Sequence, residues 1–261
     1  MILLWLVVTA VVYLRGWLRL RGDAPARIPH WRAGCCLAGL ASIGIASASP
    51  LARCDAGSLT VHMIQHLLLQ TIAPPLIFFG EPLRALGRAL SPPLGRSVGR
   101  SLRWPWLRRA GGVLDRPALC WLAATVTLIG WHVPAAFTLA LHFHAWHAFE
   151  HVSFLATGLL FWWPVVRPWP ADPAGAGWST VLYLFLATLP CDILSGFLVF
   201  SDRIAYPVYL SARSAPAVLG DQQCAGALMW TVVTIVYLVA GAIVCTRLLA
   251  PQRDLRRGEI V

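Results

Sequence analysis

The chain has 261 residues, 58% of them hydrophobic and only 12% charged, with a mean hydropathy of +0.67. Soluble domains carry about 25% charged residues, so this composition argues against an ordinary soluble enzyme and for a polytopic membrane protein. The net charge of +10 invites a nucleic-acid reading, but every basic residue is arginine and the arginines fall in loops as an orientation signal, so no nucleic-acid partner is expected.

In chain order, Met1 to Leu14 is an uninterrupted apolar run followed by Arg15, Arg19 and Arg21. A secretory signal carries its positive charge before the apolar core and a cleavage site after it. The reversed order predicts an uncleaved first span over about 1–18, extended by Trp17 and Leu18, with Arg15 snorkelling. The second span, 33–49, is rich in Gly, Ala and Ser, which let helices approach closely in lipid. The third, 59–79, carries Pro74 and Pro75, which break its hydrogen-bond ladder and require repair by neighbours. Residues 81–116 are rich in arginine, proline and glycine and read as an irregular loop or short amphipathic helix on anionic headgroups. Further spans are expected over 118–139, 146–166, 178–200 and 224–249. The fold class is therefore all-α: one helical membrane domain over 1–261, with about seven transmembrane helices.

The loops after the first, third, fifth and seventh spans hold nearly all the arginines, whereas the other side keeps only Arg53, Arg203 and Arg213. The positive-inside rule then predicts an N-terminus outside and a cytoplasmic C-terminus. Seven of the eight histidines fall on the outer side, and only His30 is cytoplasmic. His62 and His66 stand one turn apart at the outer end of the third span, as do His147 and His151 at the outer end of the fifth. His132 lies toward the outer end of the fourth. Both paired spans run inward from the same surface, so adjacent helices would put four imidazoles within reach of one ion.

Imidazole suits copper, zinc, iron and nickel, whereas thioether and thiolate select cuprous copper. Copper is the cofactor expected here, as Cu(I) or Cu(II). The nearby soft candidates are Met63, Met229, Cys54, Cys191 and Cys224, the cysteines reading first as small packing residues. A lone His pair also reads as interfacial packing; two pairs with His132 on one side favour a metal. His142 and His144 read as solvated, or as a loading site. Asp192, inside the sixth span, is a functional residue by default, or a structural hydrogen-bonding group. Asp221 opens the seventh span, where an N-cap role competes with ligation, and Met229 follows two turns inward.

His147-Ala148-Phe149-Glu150-His151 also fits the inverted zinc-peptidase signature, with Glu150 as general base. That chemistry needs a further ligand and an open position for water, and no carboxylate is placed to complete it. Glu150 is read instead as an orienting group, an additional ligand, or exposed.

The ordered motifs carry a resemblance. They are His62-Met63-Ile64-Gln65-His66 with Ala73-Pro74-Pro75, Trp131-His132-Val133-Pro134, His147 with Glu150-His151, and Phe161-Trp162-Trp163-Pro164. The last is Asp221-Gln222-Gln223 with Ala225-Gly226 and Met229-Trp230. Together they resemble the CtaG-like cytochrome c oxidase assembly factors of caa-type oxidase systems. The resemblance implies a multi-pass protein of the bacterial plasma membrane needed to make active haem–copper oxidase by supplying copper. It implies His62, His66, His132, His147 and His151 as the metal-related residues. His142, His144 and Cys191-Asp192 look particular to this chain. The function expected is that of a copper-binding assembly factor rather than an enzyme. Its expected partners are cytochrome c oxidase subunits and an extracytoplasmic copper donor. The rival readings are a haem-binding electron carrier and a copper or proton transporter using Asp192.

Overall fold

The computed structural model describes residues 1–23, 29–49, 57–89, 116–166 and 177–249. Cys54, Arg53, most of the arginine-rich 81–116 stretch and the C-terminal arginines lie outside the described residues. Within them every regular element is a helix: α1 (Ile2–Asp23), α2 (His30–Ala48), α3 (Leu59–Phe79), α4 (Pro82–Ala89), α5 (Pro117–His132), α6 (Pro134–His142), α7 (His144–Val166), α8 (Trp178–Phe200) and α9 (Ala215–Leu249). Six are long and apolar enough to cross a membrane, or seven if α5 and α6 count as one broken span.

The burial pattern is that of a bundle in lipid. Large apolar side chains such as Val126, Phe149, Val152, Ile193, Phe197 and Leu238 face outward, while Gln65, Glu150, His62 and Gln222 are buried. In α7 the buried residues Glu150, His151, Phe154, Gly158, Phe161, Trp162 and Val165 recur at helical spacing and form one stripe. That stripe faces α3.

Two helices depart from straight α-helical spans, the first as its prolines predict, and both departures trace to proline. In α3, residues Leu68–Ile72 form a π turn immediately before Ala73-Pro74-Pro75. Pro74 has no N–H to offer Gln70 O, its i−4 partner. Trp162 Nε1 of α7 donates to that carbonyl at 3.2 Å, which is the repair the prolines demand. The expected continuous fourth span is instead bent by 76° between α5 and α6. Val133, which precedes Pro134, takes an extended conformation with φ −63° and ψ 125°, as a residue before proline tends to. The seventh span begins at Ala215, ahead of the expected 224. α4 is the short helix foreseen in the arginine-rich stretch; Arg19 of α1 donates to its last carbonyls, Arg88 O and Ala89 O, at 3.2 and 3.3 Å.

Close crossings depend on glycine. A Cβ at Gly158 would lie 2.8 Å from Gln70 O and 2.9 Å from Gln70 Cα, both backbone atoms of the π turn. Gly158→Ala gains up to about 1 kcal/mol of helix propensity but overpacks a backbone contact at about 1–3 kcal/mol. The second effect should win. We expect a net loss of stability, read as earlier unfolding of the helical signal in detergent, with Gly158→Val worse.

Candidate metal centre

The N-terminal ends of α3, α7 and α9, the α5–α6 break and the 201–214 segment meet at one end of the bundle. Asp221 of α9 holds this end together. Its carboxylate accepts from Ser58 Oγ at 2.9 Å, Leu59 N at 2.8 Å, Thr60 N at 3.3 Å and Thr60 Oγ1 at 2.7 Å. It also pairs with Arg213 at 2.9 Å. Asp221 therefore caps the start of α3, not of the helix that carries it, which corrects the expected N-cap role. The reason is register: α9 begins six residues earlier, so Asp221 lies inside it, facing the free N–H groups of α3.

This cap sets the first turns of α3, from which His62 and His66 project into the interior. Both face Glu150 of α7. Glu150 is fully buried, not exposed as one reading allowed, because its helix turns the residue into the stripe against α3. Its Oε1 lies 3.5 Å from His62 Nε2 and 3.3 Å from His66 Nε2. These separations are long for hydrogen bonds. They match the distance of about 3.4 Å that two N or O ligands span around one tetrahedral ion. All three donor atoms lie within 4.8 Å of one another. His62 Nδ1, His66 Nδ1 and Glu150 Oε2 are buried with no hydrogen-bond partner in the protein. Buried polar atoms are normally satisfied, so the donor set fits a bound cation that the protein's own groups do not replace.

The remaining histidines surround this group. His147 has its ring 5.6 Å from that of His62 and 4.2 Å from that of His151. His151 Nε2 donates to Gln65 Oε1 at 3.1 Å. His132 stands at the α5–α6 break, its ring 6.1 Å from His66. His132 Nδ1 donates to Leu128 O at 2.7 Å; a carbonyl only accepts, so this bond leaves the Nε2 lone pair of the neutral ring free, 3.3 Å from Met63 Sδ. Phe137 packs against His62 at 4.8 Å, and Phe154 stacks on His66 at 4.0 Å.

The break that carries His132 is itself secured. Tyr206 donates to His132 O at 3.0 Å, and burial holds its hydroxyl well above the ordinary tyrosine range, so it stays a donor. Gln222 fastens the same segment, accepting from Ala205 N at 2.8 Å and donating to Arg203 O at 3.2 Å.

Among the described residues, the one group of three or more His, Cys, Asp or Glu donors close enough for a metal is His62, His66 and Glu150. Asp192 is half-buried beside Cys191 with Oδ1 lacking a hydrogen-bond partner. It stands outside that group, as does Asp221. Met229 is buried and borders a cavity with Met63, His66 and His132. His142 and His144 are exposed, as is Cys224. His30 lies exposed at the opposite end, against Arg21. Sequence reading missed Gln65, Tyr206 and the two phenylalanines. Gln65 carries a visible signal, a polar residue inside an apolar span, whereas the others depend on the fold.

The family model described as cytochrome c oxidase caa3 assembly factor (Caa3_CtaG) matches residues 11–250. Uncharacterized proteins of Mycobacterium bovis and Mycobacterium tuberculosis are each 25% identical over 238 residues, covering 86% of this chain and 35% of the relative. One from Mycobacterium leprae is 24% identical over 236 residues, with the same coverage. The chain thus spans about a third of the length of these relatives. No solved structure matches it. The family match runs through all the helices that build the buried His62–His66–Glu150 group, and the chain belongs to the cytochrome c oxidase caa3 assembly factor family.

Proposed function

We propose that this protein carries copper for the assembly of a haem–copper cytochrome c oxidase, holding the ion at the histidine end of its bundle. The observation that carries this reading is the buried His62–His66–Glu150 group, whose donor atoms converge within 4.8 Å and whose spare polar atoms have no partner in the protein. A family of oxidase assembly factors makes copper a fitting cargo, because imidazole binds it well. His132, His147 and His151 supply further imidazoles within one ring of the group. They allow ligands to be exchanged one at a time as the ion arrives and leaves.

The arginine distribution supports an N-terminus outside and a cytoplasmic C-terminus, with the histidine end facing outward, and the oxidase assembly family suggests a bacterial plasma membrane. Copper would then arrive from an extracytoplasmic donor and pass to an oxidase subunit by lateral contact in the bilayer. Glu150 acts as a ligand or counter-ion rather than as a peptidase base, since it faces imidazoles of another helix and not an open site. Filling of the group by Phe137 and Phe154 weighs against a haem plane between the histidines.

The test is metal analysis of purified protein together with oxidase assembly in cells, for His62→Ala and His151→Ala. His62→Ala should lose most of its copper and block formation of active oxidase. His151→Ala, which removes a supporting imidazole and its bond to Gln65, should weaken copper retention by about 10–100-fold. Unchanged copper content in both variants would end the copper reading, and normal oxidase assembly in both would end the assembly role.

A further inference from the structure

Below the His62–His66–Glu150 group lies a second feature. A cavity of about 40 Å³ is bordered by Met63, His66, His132, Cys191, Met229 and Tyr237, among others. A gap of this kind is unusual in a packed interior, and its border is rich in soft donors. Met63 is fully buried, and Met229 and Cys191 are nearly so.

The contact between His132 and Met63 is the informative one. His132 Nδ1 donates to Leu128 O at 2.7 Å, so in the neutral ring Nε2 bears only a lone pair. That lone pair meets Met63 Sδ at 3.3 Å, and a thioether is an acceptor too. Two buried acceptors face each other with no proton between them. A cation resolves this conflict. An N and an S ligand of one tetrahedral ion, with bonds of about 2.0 and 2.3 Å, stand about 3.5 Å apart.

We propose that this cavity is a second, sulfur-containing position for cuprous copper, held by His132 Nε2, Met63 Sδ and Met229 Sδ, with Cys191 at its border. The inference rests on the copper reading above and extends it. His66 joins the two positions: it is part of the imidazole–carboxylate group and also borders the cavity. The ion would move by exchanging Glu150 and His62 for thioether sulfur while keeping His66. It stays Cu(I) throughout, so no electron is transferred and no bond is made or broken except ligand bonds. Thioethers select Cu(I) over Zn(II), which gives the second position a discrimination the first lacks. Its wall residues Trp121, Thr125 and Pro190 also line a groove on the outer surface between α5 and α8. The cavity is thus one layer of side chains from the bilayer.

The chain contains three methionines, Met1, Met63 and Met229, and Met1 is fully exposed at the start of α1. Full-length protein labelled with selenomethionine and loaded with one equivalent of Cu(I) under ascorbate should show selenium in the copper shell by X-ray absorption at the copper edge. The double variant Met63→Leu/Met229→Leu should lose about 10-fold or more in Cu(I) affinity against bicinchoninate, with Zn(II) affinity unchanged. Copper bound through nitrogen and oxygen alone would overturn this inference and leave the His62–His66–Glu150 reading standing. No Cu(I) bound at all would overturn this inference, and no copper bound in either oxidation state would overturn both. The selenium readout needs no substitution, so a double variant that fails to fold leaves the proposal decided by the labelled protein.

Discussion

Glu150→Gln is expected to cut the copper held by the purified protein at equimolar loading to about a tenth, an affinity loss of about 100-fold or more. Glu150 is the one carboxylate among the converging donors, is fully buried, and lies 3.5 and 3.3 Å from two imidazoles. A full charge about 4 Å away contributes about 4 kcal/mol even at an effective dielectric constant near 20. The amide keeps size and an oxygen donor but surrenders that charge. Folding should survive, because glutamine keeps the volume and the facing imidazoles can stay neutral, so no uncompensated buried charge is left behind. The measurement is metal content by mass spectrometry beside helical content by circular dichroism. Full copper in a folded Glu150→Gln protein would show that the carboxylate serves only the packing of α3 on α7. Loss of fold with the Gln variant would assign it the same structural role.

The second large effect is expected at Asp221. Its carboxylate accepts from two backbone N–H groups and two hydroxyls at the start of α3 and pairs with Arg213. A lost cap costs about 1 kcal/mol, and each hydrogen bond to a charged group about 1.5–3 kcal/mol. These do not add fully, since water reaches part of the network, so Asp221→Ala should cost about 3 kcal/mol. Asp221→Asn should cost roughly half of that, keeping one acceptor oxygen. The readout is the unfolding free energy from titration of the helical signal with denaturing detergent. Because the cap sets the first turns of α3, Asp221→Ala should also weaken copper retention, but less than Glu150→Gln does. Equal stability of Asp221→Ala and the natural protein would mean that α3 is held by its apolar packing alone.

These expectations combine information from two levels. The helical membrane class was legible in the sequence because lipid leaves few alternatives: long apolar runs with few charges must become helices that satisfy their own backbone. Trp178–Phe200 is legible to the residue, since Gly177 and Ser201 bound a run whose one charge is Asp192. The prolines at 74 and 75 announced a broken ladder. Both i,i+4 histidine pairs were assigned to one end of the bundle, since their spans run in the same direction, and the structure places those rings side by side.

The tertiary structure decided the rest. Periodicity does not say which face of a helix is inside when the surroundings are as apolar as the interior, so only the packing of α7 against α3 places Glu150. The 76° bend at Val133 follows from a proline that many membrane helices absorb as a mild kink. Asp221 reads as a cap for its own helix because sequence shows only neighbours along the chain, whereas its partners on α3 lie more than 160 positions away. The composition and order of residues determine that this chain is a bundle of membrane helices with its histidines toward one end. Which donors meet, and that a buried carboxylate joins two of them, depends on helix rotation and crossing. Those are set by close contacts such as Gly158 on the π turn, which a linear pattern does not encode.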